Sequence, residues 1–398
     1  MSLNNTPAAN RIHIGIFGKR NAGKSSLINA LTGQDLAIVS DVKGTTTDPV
    51  YKTMELLPLG PVMLIDTPGI DDNGELGTQR VKKSYQVLNK ADIALLVVDQ
   101  PTLSPEDKAL LSHIQDKQIP YVIAYNKCEQ YPDFSPKSSN EITVSAHEQT
   151  RIQELKELLA AQHHADDNRQ KLTADLVSPG DFVILVVPID KAAPKGRLIL
   201  PQQQVIRDLL EAGAVSIVVK DTELAQTLET LVRPPRLIIT DSQIFGKAAA
   251  IVPPQIPLTS FSILMARYKG ILTTAVSGVA ALNTLQDGDR ILISEGCTHH
   301  RQCEDIGTIK LPRWIREYTG KKPEFIFTSG TEFPEDLTDY HMIVHCGGCM
   351  LNEREMKYRL RCAQEQEIPM TNYGILIAYI NGILKRGVAP LLEIDTFR

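Results

Sequence analysis

The chain has 398 residues, 42 basic and 47 acidic, with a formal net charge of −5. That length exceeds one ordinary core, so two or three domains are expected, and with no long basic run a nucleic-acid partner is not indicated. Six cysteines are too few for a disulfide scaffold, and the apolar runs near 93–98 and 182–189 are too short to span a bilayer, which reads as a soluble cytoplasmic protein without a membrane partner.

In chain order, 12–17 reads as a buried strand. It runs into Gly18-Lys19-Arg20-Asn21-Ala22-Gly23-Lys24-Ser25 and then into helical spacing over 25–31. Strand, glycine loop and helix make a phosphate cradle. Gly18 and Gly23 let backbone N–H groups turn inward, Lys24 reaches the outer phosphates, and the Ser25 hydroxyl, followed by Ser26, is placed for Mg²⁺. A second apolar strand, 59–66, ends in Asp66-Thr67-Pro68-Gly69. There the carboxylate can hold Mg²⁺ through water and the Gly69 N–H can sense the terminal phosphate. Strands over 93–98, 121–125 and 142–144 follow, the last two emptying into Asn126-Lys127-Cys128-Glu129 and Ser145-Ala146. These read as base-binding loops. Asn126 can hydrogen-bond a purine, Lys127 can pack along it, and Glu129 can accept from the paired N–H donors that guanine has and adenine lacks.

With these motifs in order, 1–168 resembles the translation-factor-like small GTPases, especially the branch that includes the tRNA-modification GTPase. The resemblance implies GTP and GDP as ligands, and hydrolysis carried by Lys24, Thr46, Asp66 and Gly69. The Gly- and Thr-rich loop 41–49 looks like the family's first switch, with Thr46 reaching Mg²⁺ in the triphosphate state. The second switch, 69–74, has no glutamine to orient water. Relatives of this type often hold K⁺ beside the phosphates through an asparagine matching Asn21, and that cation supplies the charge an arginine finger supplies elsewhere. The other reading of Asn21 is a turn residue capping its own loop. Glu129 departs from the family's aspartate by one methylene, which the loop has to absorb.

Residues 151–159 are expected to close this domain with a helix, and 163–168 to form a polar linker. From 172 to 255, strand-like and helical runs alternate in a small α/β unit with no nucleotide or metal signature, expected to serve as an association surface. Lys191, Lys195 and Arg197 read there as a solvated loop or a binding loop.

From 258 onward, helical spacing over 260–268 and 276–282 precedes two strands, 290–294 and 341–344. These empty into Glu295-Gly296-Cys297-Thr298-His299-His300 and His345-Cys346-Gly347-Gly348-Cys349, with covering helices over 353–366 and 372–384. In a parallel sheet, loops leaving the same edge would bring the two groups together. Cys346 and Cys349 alone fit zinc, a redox motif or an iron–sulfur site. Cys297 adds a third thiolate, and the paired glycines free N–H groups to point at sulfur, which favours an anionic cluster. His299 or His345 would complete a tetrahedral zinc site. On chemistry alone the cluster, zinc and a thiol redox centre stay open. Cys303 reads as a spare ligand or an inert thiol, and Cys128 and Cys362 have no metal-spaced neighbour.

The whole pattern, Cys297-x-His299 and, after 45 intervening residues, His345-Cys346-x-x-Cys349, resembles the HydF family of [FeFe]-hydrogenase maturation GTPases along the full length. The resemblance implies an α/β chain of three domains: a P-loop GTPase domain at 1–168, a small α/β dimerisation domain at 172–255 and an iron–sulfur cluster domain at 258–398. It implies a [4Fe–4S] cluster on Cys297, Cys346 and Cys349 with an exchangeable fourth site, and His299 and His345 as the fourth ligand or as neighbours that orient it. It further implies a scaffold or carrier, working as a homodimer or higher oligomer. Such a carrier receives a transient di-iron precursor from two radical-SAM maturases and delivers it to the apo-[FeFe]-hydrogenase. Two other functions compete. One is a GTPase acting in RNA modification, for which the rest of the chain offers no basic groove. The other is a structural zinc protein whose GTPase switches assembly.

Overall fold

The computed structural model describes residues 6–33, 49–71, 75–163 (75–80 as backbone only), 172–189, 198–296, 305–330 and 332–392. Two compact units emerge, Met1–Asp167 and Asn168–Arg398.

The first unit holds β1 (Ile12–Phe17), β2 (Val50–Leu56), β3 (Gly60–Asp66), β4 (Ile93–Val98), β5 (Tyr121–Tyr125) and β6 (Glu141–Thr143). They lie in the order β2-β3-β1-β4-β5-β6, with β2 antiparallel to β3 and every other pairing parallel. The central β4 is buried along its whole length, as expected of a strand covered on both faces. Edge strand β2 carries mostly half-exposed residues, so its sequence gives little apolar signal and its pairing with β3 decides its conformation. The helix Pro105–Asp116, also absent from the sequence reading, starts on a Ser104–Asp107 capping box worth about 1 kcal/mol.

The second unit holds two four-stranded parallel sheets. One contains β7 (Phe182–Val186), β8 (Val215–Val219), β9 (Leu237–Thr240) and β10 (Leu258–Ser260), ordered β10-β9-β7-β8. The other contains β11 (Arg290–Glu295), β12 (Glu324–Ser329), β13 (Met342–His345) and β14 (Met370–Asn372), ordered β12-β11-β13-β14. In each, the first strand lies between the second and third, and the fourth pairs with the third. The two sheets have one topology.

The sequence carries the same duplication. Ile256–Val276 and Ile368–Val388 align without a gap and are identical at 10 of 21 positions, including Pro257/Pro369, Thr259/Thr371, Gly270/Gly382 and Leu272/Leu384. Local geometry repeats with it. Ser260 caps a helix through the Ile263 N–H as Asn372 does through Ile375, and Gly270 and Gly382 take φ 73° and 68°. The halves exchange their last helices. Helix Leu272–Gly278 lies against β14, where Thr371 Oγ1 donates to the Ala275 carbonyl at 2.8 Å, and helix Leu384–Val388 lies against β10. At the pseudo-twofold centre Ser262 meets its own counterpart, Gly374, whose N–H donates to Ser262 Oγ at 3.2 Å.

Because of this exchange one hydrophobic core runs through both sheets, joining Ile184 and Ile238 to Leu292 and Ile343. Strand β10, expected to open the third domain at 258, hydrogen-bonds to β9 and so belongs to the earlier sheet.

Candidate functional site

The phosphate loop follows β1. A Cβ on Gly18 (φ 146°) would strike the Val97 carbonyl oxygen at 2.2 Å, and one on Gly23 (φ 90°) would meet Asn126 Nδ2 at 2.2 Å, so both positions require glycine. The buried Lys24 ammonium arches over the loop, donating to the carbonyls of Gly18 (2.8 Å) and Lys19 (2.7 Å). Ser25 Oγ donates to Asp66 Oδ2 at 2.7 Å, while the buried Asp66 Oδ1 has no partner among the described residues. Burial pushes the Asp66 carboxyl above its usual range, against the Ser25 hydrogen bond and the Lys24 charge. An unpartnered buried carboxylate oxygen beside a hydroxyl is a donor set that a hydrated Mg²⁺ fits. Ser26 is half-buried in the first turn of the helix Lys24–Thr32. Gly69 docks against the loop: Ile70 N–H donates to the Gly18 carbonyl at 3.4 Å, and the Arg20 N–H donates to Asp71 Oδ1 at 2.7 Å.

The loops 126–129 and 145–146 converge on the same cradle. Asn126 is buried and staples it, donating through Nδ2 to the Ala22 carbonyl (3.0 Å) and accepting from the Ala146 N–H through Oδ1 (3.0 Å). One amide hydrogen stays available for a base. Lys127, in the left-handed region at φ 62°, reaches over to the Asn21 carbonyl (3.0 Å) and to Asp99 Oδ2 (3.3 Å). Asp99, just past β4, is a site residue that the sequence reading passed over. Ser145 is buried and its Oγ accepts from the Glu148 N–H at 3.0 Å; Glu129 is exposed. Asn21 is exposed at φ 64°. Thr46 and the rest of loop 41–48 lie outside the described residues.

In the second unit, β11 and β13 are adjacent and parallel, with Ser294 paired to His345. Residues 296 and 346 therefore leave the same sheet edge, as a shared site requires. The Cys346 sulfur accepts from the Gly296 N–H at 3.1 Å and the Gly348 N–H at 3.4 Å. Gly348 sits at φ 63°, which turns its N–H back onto the sulfur. Cys349 packs against a core containing Phe261, Leu264 and Met265. Burial pushes its thiol up to about 11, with Cys346 adding to the shift and the Lys269 ammonium opposing it. Cys297 and His299 lie outside the described residues, and among the described ones no three metal-binding side chains converge.

His345 is fully buried and engaged at both nitrogens, Nδ1 with the Cys346 carbonyl (2.7 Å) and Nε2 with Arg359 Nη1 (3.0 Å). Arginine only donates, so Nε2 accepts and the ring proton sits on Nδ1, tying the ring to the backbone of Cys346.

Comparison with known proteins supplies the family. The hydrogen maturase F dimerization domain matches residues 172–270, and the hydrogen maturase F tetramerization domain matches 273–390. The chain belongs to the HydF family. The 50S ribosome-binding GTPase family matches 13–127 of this HydF chain. Similar curated proteins cover only that part. The tRNA modification GTPase MnmE of Xanthomonas oryzae pv. oryzae is 36% identical over 137 residues, 34% of this chain and 30% of that one. GTPase Der of Wolinella succinogenes is 47% identical over 95 residues, 23% of this chain and 20% of that one. The chain thus spans under a third of either relative. Among solved structures, Aquifex aeolicus Era bound to GDP·AlF4⁻ is 20% identical at a TM-score of 0.33, covering 52% of this chain and 92% of that one.

The first family match ends at 270, beyond β10, in keeping with the pairing of that strand in the earlier sheet. No helix among the described residues of this HydF chain is long and apolar enough to cross a membrane. Around the cysteine loop, the sequence reading missed Arg359, Glu355, Lys269, Glu295 and Tyr373. Arg359 is fully buried and links Glu355 Oε1 (3.0 Å), Ser294 Oγ (3.1 Å) and His345. Tyr373 donates to Glu295 Oε1 at 3.1 Å, and burial holds its hydroxyl well above the ordinary range. Helical spacing marked Glu355, Arg359 and Tyr373 as covering helix only, Glu295 was read as the start of the cysteine-bearing loop and Lys269 was not read at all; the internal repeat is the signal that would have singled out 262–270 and 374–382.

Proposed function

We propose that this chain is a GTP-hydrolysing scaffold that carries a [4Fe–4S] cluster on Cys297, Cys346 and Cys349 and hands a di-iron precursor to an apo-[FeFe]-hydrogenase. The observation that carries this reading is the pair of backbone N–H groups, from Gly296 and Gly348, aimed at the Cys346 sulfur on the sheet edge that also leads to Cys297. N–H donors on sulfur stabilise the anionic thiolates of a cluster. When bound, the cluster supplies an iron with an exchangeable ligand, a place for a precursor to rest. This chain's residues hold and orient: Gly296 and Gly348 fix Cys346, and His345, locked by Arg359, acts as an orienting neighbour. In the first unit Lys24 and the loop N–H groups bind the outer phosphates, Ser25, Asp66 and Thr46 hold Mg²⁺, and Asn21 holds K⁺. Asn126, Lys127, Glu129, Ser145 and Ala146 read guanine. Two radical-SAM maturases and the apo-hydrogenase are the partners in this reading, and residues 172–270 carry the homodimer contact.

Anaerobic reconstitution with iron and sulfide, followed by metal and sulfide analysis, tests it. About four of each per chain are expected, lost in Cys346→Ser and Cys349→Ser and kept in Cys362→Ser. Lys24→Ala should abolish GTP hydrolysis at unchanged iron content. One zinc per chain without acid-labile sulfide would defeat the reading.

A further inference from the structure

The second switch carries no glutamine, yet one of its carboxylates reaches the phosphate loop. Ile70, the residue after Gly69, is 7% exposed and turns into a core with Phe17, Ile65 and Val87, so its side chain offers nothing polar to a nucleotide. Asp71 reaches the loop instead. Its Oδ1 accepts from the Arg20 N–H at 2.7 Å, and the two meet beside Gly69, where an added Cβ would lie 2.9 Å from each. Glycine at 69 is what lets this carboxylate close on the loop. A second bond, from the Ile70 N–H to the Gly18 carbonyl at 3.4 Å, holds the same stretch against the loop that Lys24 spans through the Gly18 and Lys19 carbonyls. The carboxylate is thus fixed at the segment that binds the outer phosphates.

We propose that Asp71 positions the water that attacks the terminal phosphate of GTP. This rests on the nucleotide reading of the first unit and is independent of the cluster. A carboxylate only accepts hydrogen bonds, through about four lone-pair sites, and the Arg20 N–H fills one of them. Phosphate oxygens also only accept. Two acceptor-only groups brought to one loop cannot satisfy each other, whereas a water between them can donate to both, which leaves its lone pair for phosphorus. Anchored through Arg20, the carboxylate holds that water in place before the reaction starts. In the step itself the water oxygen forms the new bond to phosphorus while the bond from phosphorus to the β-phosphate oxygen breaks. GDP leaves with that electron pair, both water protons stay on the inorganic phosphate, and Asp71 gains and loses no proton.

The test separates chemistry from binding in the full-length chain: single-turnover GTP hydrolysis is measured beside GDP affinity for wild type, Asp71→Ala and Asp71→Asn. Asp71→Ala should hydrolyse GTP ~100-fold more slowly at wild-type GDP affinity, and the retained affinity shows that the variant folds. Asp71→Asn keeps an oxygen that can accept from both the Arg20 N–H and a water, so its rate should lie well above that of Asp71→Ala. A contact that only ties down the empty loop predicts the opposite split. In that case Asp71→Ala changes GDP affinity and leaves the single-turnover rate at the wild-type value, which overturns the proposal. A rate in Asp71→Asn no better than in Asp71→Ala overturns it as well. A wild type that turns over no GTP overturns the nucleotide reading itself, an outcome distinct from hydrolysis indifferent to residue 71.

Discussion

Arg359 Nη1 lies 3.0 Å from His345 Nε2, so a guanidinium with no solvent exposure fixes both the tautomer and the plane of the imidazole next to Cys346. The same guanidinium pairs with Glu355, itself 5% exposed, and donates to the Gly330 carbonyl at 2.7 Å. Arg359→Ala leaves Glu355 buried without its cation, which costs about 3–5 kcal/mol, measurable by urea denaturation. Arg359→Lys should not rescue it, since a point charge cannot span Ser294, His345, Gly330 and Glu355 together. His345→Ala is milder. It should leave iron bound and alter the magnetic spectrum.

Asp66 gives a pH dependence with a defined sign. Burial raises its folded pKa above the unfolded value, so the metal-free folded state binds the proton more tightly. Stability without nucleotide and Mg²⁺ should therefore fall as pH rises from the ordinary carboxylate range through the raised value. Mg²⁺ with nucleotide should remove the trend, as should Asp66→Asn. Thermal unfolding from pH 4 to 7, roughly the range a buried carboxyl titrates over, reads this out, and a stability that rises with pH in the wild type but not in Asp66→Asn would contradict it.

Asn21, exposed beside the cradle with its carbonyl held by Lys127, is the residue proposed above to hold K⁺. GTP hydrolysis should run several-fold faster in KCl than in NaCl at equal ionic strength, and Asn21→Ala should flatten the difference. Equal wild-type rates in both salts would leave Asn21 as a turn residue.

The outer strand of the earlier sheet, β8, pairs on one side only among the described residues, with Val215 and Val218 43% and 46% exposed. Apolar edge strands pair with other chains unless charge prevents it. Val218→Lys should shift sedimentation toward the monomer while circular dichroism stays unchanged. Removing 172–255 is not an equivalent test, because that segment shares a core with β11 and β13 and its loss would strip the second unit.

The phosphate cradle, the base-reading loops and the spacing of the cysteines were readable from sequence because each is a short motif whose chemistry depends on neighbours in the chain. Gly18 and Gly23 are required by local φ and close approach, Lys24 and Ser25 follow from the helix they open, and the Cys346-x-x-Cys349 turn carries its own donors. Tertiary structure decided what depends on residues far apart. Strand β10 falls in the earlier sheet because its partner β9 lies nearly twenty residues upstream. Arg359 meets Ser294 and His345 only when its helix packs over β11 and β13, and Lys269 meets Leu351 only across the junction of the two halves. A buried cation on an apolar helix carries no sequence signal of its partner; the carbonyl it serves, Leu351, is 82 residues away, and only the fold brings it to 2.8 Å.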